Sequence, residues 1–207
     1  MKKIKFSTEY GLQQGVIDRT KTMTRRADKK LNYPLVTGIS EWGIDDKGNC
    51  YLAITYSTGL TEVVYPAYQI GEELAVAQRY ADDDVLIFNA YNGEGQPRKD
   101  GHKRHQEMLA SEGYRNKMFV KAEYMPHRIR ITDIKVERLQ DISVEDILCE
   151  GVYYYNCGID NGYTAKGLGC NFPTARDAFS ALIDKVNGTG TWQKNPWVFA
   201  YTFELVR

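Results

Sequence analysis

The chain has only four cysteines and six prolines in 207 residues, and no apolar run approaching the roughly 20 residues needed to cross a bilayer. Cys50, Cys149, Cys157 and Cys170 form no Cys-x-x-Cys pair and are too sparse for a disulfide framework, so reduced thiols are expected. The start Met1-Lys2-Lys3-Ile4-Lys5 leads into no signal-like hydrophobic stretch, which makes a cytoplasmic protein without membrane contact the expectation. Charge of one sign is also missing. Lys and Arg number 27 and Asp and Glu number 27, so no whole-molecule field draws the chain to nucleic acid or lipid, and any attraction to phosphate must be local. There is no Gly-rich phosphate loop and no repeated β-α unit, which argues against a doubly wound sheet. Without an internal repeat or a Pro/Ser-rich linker, a single domain over 1–207 is expected.

What is present reads as α+β. Ile4 and Phe6 alternate with lysines in a short strand, and a helix carrying Tyr10, Leu12, Val16 and Ile17 ends near Arg19. A strand over 22–26 leaves that helix through a tight connection at Thr20-Lys21. Residues 31–66 read as a β meander with turns at 45–48 and 58–59. Leu74 to Ala77 is a buried strand closed by the charges of Asp82, Asp83 and Asp84. Residues 81–115 form a second insertion, irregular over 89–102 and helical over 104–112. A long strand spans 127–139. Ser143 to Asp146 resembles a capping box, starting a helix that ends at Glu150-Gly151. Residues 153–172, rich in Tyr, Gly and Asn, read as a third insertion in the form of a long loop. Thr174 caps a helix whose Ala178, Phe179, Leu182, Ile183 and Val186 make one apolar face, and a strand over 198–206 closes the chain.

Positive charge concentrates at one place, with Arg19, Lys21, Arg25, Arg26, Lys29 and Lys30 set against Asp28 alone. Phosphate contact is the functional reading, and a solvated face paired with acids from elsewhere is the bland one. Arg98, Lys99, Lys103 and Arg104 make a second, looser basic run. The three consecutive tyrosines Tyr153, Tyr154 and Tyr155 offer rings for base stacking or for ordinary packing. His102 and His105 lack a nearby third ligand, so neither a metal nor another cofactor is expected.

The run Lys21-Thr22-Met23-Thr24-Arg25-Arg26, leaving a helix and followed far downstream by the helix-end carboxylate Glu150, resembles the ASCH domain family. That resemblance implies a PUA-like small mixed β-barrel with flanking helices, here with β-rich insertions. Lys21 and Arg26 match the family's Lys and Arg, Arg19 stands where its motif has Gly, and Thr24 stands where many members have Glu. Thr at that place is the version found in bacterial amidohydrolases of this fold that act on N-acetylated cytidine. Carried over, Lys21 is the base, Thr24 the nucleophile and Glu150 the proton donor. Gly71-Glu72-Glu73-Leu74-Ala75-Val76 resembles the family's strand entry. Trp192 and Asn195-Pro196-Trp197-Val198 look like the close of larger, phage- or prophage-associated members.

The first expectation is therefore a recognition domain binding RNA or a modified nucleobase, in a cleft lined by Lys21, Thr24, Arg26 and Glu150, with Arg19 and Arg25 as further ligand-binding residues. The second is an amidohydrolase built on the same cleft. A third is a phage-type protein-interaction module that binds through its insertions. On a regular strand Lys21 and Thr24 differ in parity, so they converge only if Lys21 belongs to the turn.

Overall fold

The computed structural model describes residues 1–156, 161–169 and 171–206. In chain order the elements are β1 (Lys2–Ile4), α1 (Leu12–Ile17), β2 (Met23–Ala27), β3 (Val36–Ile44), β4 (Cys50–Tyr56), β5 (Thr61–Val64), β6 (Glu73–Val76), α2 (Asp83–Ala90) and α3 (Gly101–Leu109). There follow three short 3-10 turns between 112 and 124, then β7 (Arg128–Arg138), α4 (Val144–Cys149), β8 (Tyr153–Asn156), β9 (Asn161–Thr164), α5 (Ala175–Asn187), α6 (Thr191–Lys194) and β10 (Trp197–Leu205). The class is α+β. The chain divides into two compact units. Unit 1 comprises residues 1–7, 73–130 and 205–207; unit 2 comprises 8–72 and 131–204.

In unit 1, β1 runs parallel to β6, and β6 pairs antiparallel with the first residues of β7. Leu74, Ala75, Val76 and Ala77 are fully buried, as their unbroken apolar run requires. Ala75, Tyr80, Val85, Met108, Val120 and Met125 belong to the core cluster of this unit. Tyr80 is anchored at both ends: its N–H donates to the Gly113 carbonyl at 3.0 Å and its hydroxyl accepts the Lys121 N–H at 2.6 Å. A β-carbon on Gly113 would lie 2.6 Å from the Tyr80 ring, so only glycine fits there.

In unit 2, the rest of β7, β10 and β2 lie in that order, with β10 antiparallel to β2. β3, β4 and β5 make their own antiparallel sheet, as the turn signals at 45–48 and 58–59 predict. Helix α5 starts at Thr174, whose hydroxyl accepts the Asp177 N–H, and buries Ala175, Ala178, Phe179, Leu182 and Ile183. Helix α4 starts at Ser143, which accepts the Asp146 N–H in the same way.

The α+β expectation holds without a closed barrel being shown, and two other expectations need correction. No sheet among the described residues closes into a barrel: β2 is an edge strand, and β3, which follows it in sequence, pairs with β4 and not with β2. β8 and β9 pair antiparallel, Tyr153 with Thr164 through Asn156 with Asn161, where a loop was expected, since backbone pairing alone forms a ladder without an apolar pattern. The aspartates at 82–84 do not end an element but start α2, where Asp83 and Asp84 sit in the first turn against the positive end of the helix. Cys50 and Cys149 are free thiols, whereas Cys157 and Cys170 lie outside the described residues. Among the described residues no helix is long and apolar enough to cross a membrane, and no group of three or more His, Cys, Asp or Glu gathers in a way that could hold a metal.

Candidate functional site

The connection after α1 is tight because one carbonyl, that of Gly15, accepts the N–H groups of both Thr20 and Lys21 at 2.9 Å. Arg19 makes the turn with φ +62°, in the left-handed region that favours glycine. Arg19 carries a side chain in that conformation and so accepts the strain. Lys21 thus belongs to the turn, one residue before Thr22, whose N–H donates to the Cys149 carbonyl at 2.9 Å. The chain is thereby stitched to the end of α4, where Glu150 is the C-cap.

Lys21 and Glu150 meet inside the protein, 2% and 5% exposed. The Lys21 ammonium donates to Glu150 Oε2 at 2.5 Å, to the Glu150 carbonyl at 2.8 Å and to the Met23 carbonyl at 2.7 Å. Three acceptors match its three protons. Burial pushes its pKa below the ordinary lysine value, the Glu150 carboxylate opposes that shift, and the nearby Arg26 and Arg25 add to it.

Glu150 is shared. Its Oε1 accepts from Arg25 Nη1 at 3.1 Å, and the same guanidinium reaches Glu137 through Nε at 2.7 Å and Asp146 through Nη2 at 2.7 Å. Lys135 closes the chain of charges on Asp146 and on Glu137 Oε2, the latter at 3.2 Å. Three cations and three carboxylates form one network, from a Lys21 side chain 1% exposed to a Lys135 side chain 41% exposed. Burial would raise the Asp146 pKa, but Lys135 and Arg25 together hold it below the usual carboxylate value. Burial likewise works against the Arg25 charge, and Glu150 and Glu137 outweigh it. Such a network costs much to desolvate and is badly destabilised when one member is removed.

Neither of two clefts among the described residues gathers all the expected site residues. Lys21 lines a cleft of about 380 Å³ together with Tyr10, Gln14, Asp18, Tyr153 and Lys166, and with the glycines at 11, 15 and 151. Arg25 and Arg26 line a different one, of about 410 Å³, with apolar walls from Leu139, Ile183 and Val198. Thr24 is 5% exposed, faces Tyr201 across the β2–β10 ladder and is absent from the walls of both clefts. Arg19 is exposed at the turn. The basic cluster is also partly consumed: Lys21 and Arg25 are turned inward, and Lys30 pairs with Glu62 at 2.6 Å.

Sequence reasoning singled out neither Lys135, Glu137 and Asp146 as partners of the motif nor Lys166 as a wall of the cleft. Lys135 and Glu137, two apart on β7, share a strand face, which is the signal that was there to find. Asp146 was legible only as part of a helix cap. In the looser basic run, Arg98 Nε donates to the carbonyls of Phe88 and Tyr91, and Arg104 bonds Asp100 and Asn89, so both hold their own loop and helix together. His102 pairs with Gln106 at 3.0 Å. The chain matches no family model, no curated protein and no solved structure.

Proposed function

We propose that the chain is a recognition module of the PUA-like, ASCH type whose cleft beside Lys21 holds a modified nucleobase or nucleoside, free or within RNA. One observation carries this reading. The cleft of about 380 Å³ falls in the size range of small-molecule sites and combines two tyrosine rings with Gln14, Asp18, Thr20 and Lys166. Rings supply stacking surface, and the amide, carboxylate and hydroxyl supply the mixed donors and acceptors that a base edge demands. The missing β-carbon of Gly11 leaves the room that the Lys166 side chain takes at the cleft, since a β-carbon there would lie 2.5 Å from it.

Binding is favoured over turnover because the Lys21 protons already have three acceptors and Thr24 is not part of the cleft wall. The amidohydrolase reading keeps one supporting observation, the burial that makes the Lys21 ammonium easier to deprotonate.

Titration calorimetry with cytidine and N-acetylcytidine tests both. Saturable binding that is lost in Tyr153→Ala and Lys166→Ala supports the module, and no heat from either nucleoside overturns it. Loss of the acetyl group, followed by chromatography and abolished in Thr24→Ala, would instead make the protein a hydrolase.

A further inference from the structure

The neutral chain divides its charge unevenly. Unit 1 holds 14 of the 27 Lys and Arg and 9 of the 27 Asp and Glu, a net charge of +5; unit 2 holds the other 13 and 18, a net charge of −5. Six of those 14 cations, Lys2, Lys3, Lys5, Arg115, Lys117 and Lys121, lie on or beside one strand and in the segment around one turn, where the sequence also places Glu112 and Glu123. Lys3 Nζ donates to the carbonyls of Met118 and Val120 at 3.2 and 2.5 Å, and Lys117 Nζ donates to that of Phe6, so the 3-10 turn Lys117–Phe119 lies against β1 and the residues after it. Lys5 and Arg115 are exposed close to that turn in the chain or in its bonds, and Lys121, also exposed, pairs with Glu107 at 2.9 Å. On the turn itself Met118 is 58% exposed and Phe119 52%. Lysines on an edge strand guard it against pairing with other strands, and that accounts for β1. It does not account for Arg115, or for a phenyl ring and a thioether held in water among cations.

We propose that this surface of unit 1 binds single-stranded nucleic acid, with the cations on phosphates and Phe119 as a stacking platform for one base. A positive patch around an exposed ring is the combination that sequence-tolerant single-strand binders use, because every base has a π face and every nucleotide a charge. A duplex keeps its base faces stacked away, so the ring adds nothing there. An anionic membrane would meet the same charge, but a three-residue turn offers only Met118 and Phe119 to the acyl region, far short of an amphipathic helix face. The surface is independent of the cleft beside Lys21 and does not rest on the reading of that cleft.

Fluorescence anisotropy of the full chain with a labelled, unstructured RNA of about 15 nucleotides tests the proposal. The expected result is binding that weakens steeply between about 50 and 200 mM salt, with the slope reduced by about 0.7 when one cation is neutralised, as in Arg115→Gln. Phe119→Ala is expected to weaken binding about tenfold. Lys29→Glu, an exposed charge of unit 2, is expected to change nothing. Both unit 1 positions are exposed, so melting temperatures matching the parent show that the variants fold. RNA affinity indifferent to Phe119 and Arg115, an equal loss in Lys29→Glu, or binding of phosphatidylserine vesicles without binding of RNA would each overturn the proposal. Nucleoside binding in the cleft should survive Phe119→Ala, and RNA binding should survive Tyr153→Ala, so failure of either site is read separately.

Discussion

Units 1 and 2 use the same side chains in opposite ways. In unit 2 the densest basic run of the sequence sends Lys21 and Arg25 inward, where Glu150, Glu137 and Asp146 meet them. In unit 1 no run as dense exists, yet Lys2, Lys5, Lys99, Lys103, Arg115 and Lys121 are exposed, and the unit carries the net positive charge. The lesson is that clustering of charge along a chain says little about the field outside it. What matters is whether acids from distant segments reach the cluster first, and in unit 2 they do so from β7 and α4.

Four measurements break or sharpen that contrast. The largest effect belongs to Glu150→Ala, which leaves Lys21 buried without its carboxylate and Arg25 with one partner fewer; a loss of about 3 to 5 kcal/mol in urea unfolding is expected. Lys21→Met combined with Glu150→Leu should recover most of it, and a double variant as unstable as Glu150→Ala would mean that the pair does more than cancel its own charges. Next is Asp146→Asn, expected to cost about 1 to 3 kcal/mol near neutral pH, the range for a lost hydrogen bond to a charged group. Because Lys135 and Arg25 hold the Asp146 pKa below its unfolded value, its contribution is complete above about pH 4 and disappears as pH falls through the lower folded value. Unfolding free energy followed from pH 5 to pH 2 should therefore fall less steeply in Asp146→Asn than in the parent, and parallel curves would show that Asp146 does not titrate with folding.

Smaller is Arg19→Gly. Relief of a left-handed conformation, less the entropy that glycine adds to the unfolded chain, should stabilise unit 2 by about 0.5 to 1 kcal/mol by thermal melting. A destabilised variant would show that the Arg19 side chain has partners worth more than its strain. Smallest is Lys30→Ala at the exposed pair with Glu62, expected to leave the melting temperature unchanged. If Lys30 proved as costly as Asp146, the distinction between inward and outward charge would fail.

Much of the fold was readable before any coordinates. α5 announces itself through Thr174 and the 178, 179, 182, 183 spacing, and α4 through Ser143. The meander of β3 to β5 follows from its two turns. The misses have physical causes. α2 buries only Val85 and Asn89, and Asn89 earns its place by donating to the Val85 and Tyr124 carbonyls, so no apolar period marks the helix. The β8–β9 pair exposes Tyr153, Tyr154 and Tyr155 alike, so no alternation marks its strands. The closed barrel came from resemblance alone, and no local pattern in β2 determines which strand takes its free edge.

For the candidate site the same division holds. The tight turn at Lys21 and the helix end at Glu150 were each legible locally, but that the two side chains meet, 129 residues apart, was anticipated only through the family resemblance. That Arg25 would share the carboxylate, that Thr24 would stand apart from the cleft, and that Lys135, Glu137 and Asp146 would complete the charges was decided only by tertiary structure. Caps, turns and apolar periods act over a few neighbouring residues and so are written in the chain. Compensation of a buried charge acts through space, between segments more than a hundred residues apart, and depends on which of many acids the packing brings within hydrogen-bonding distance.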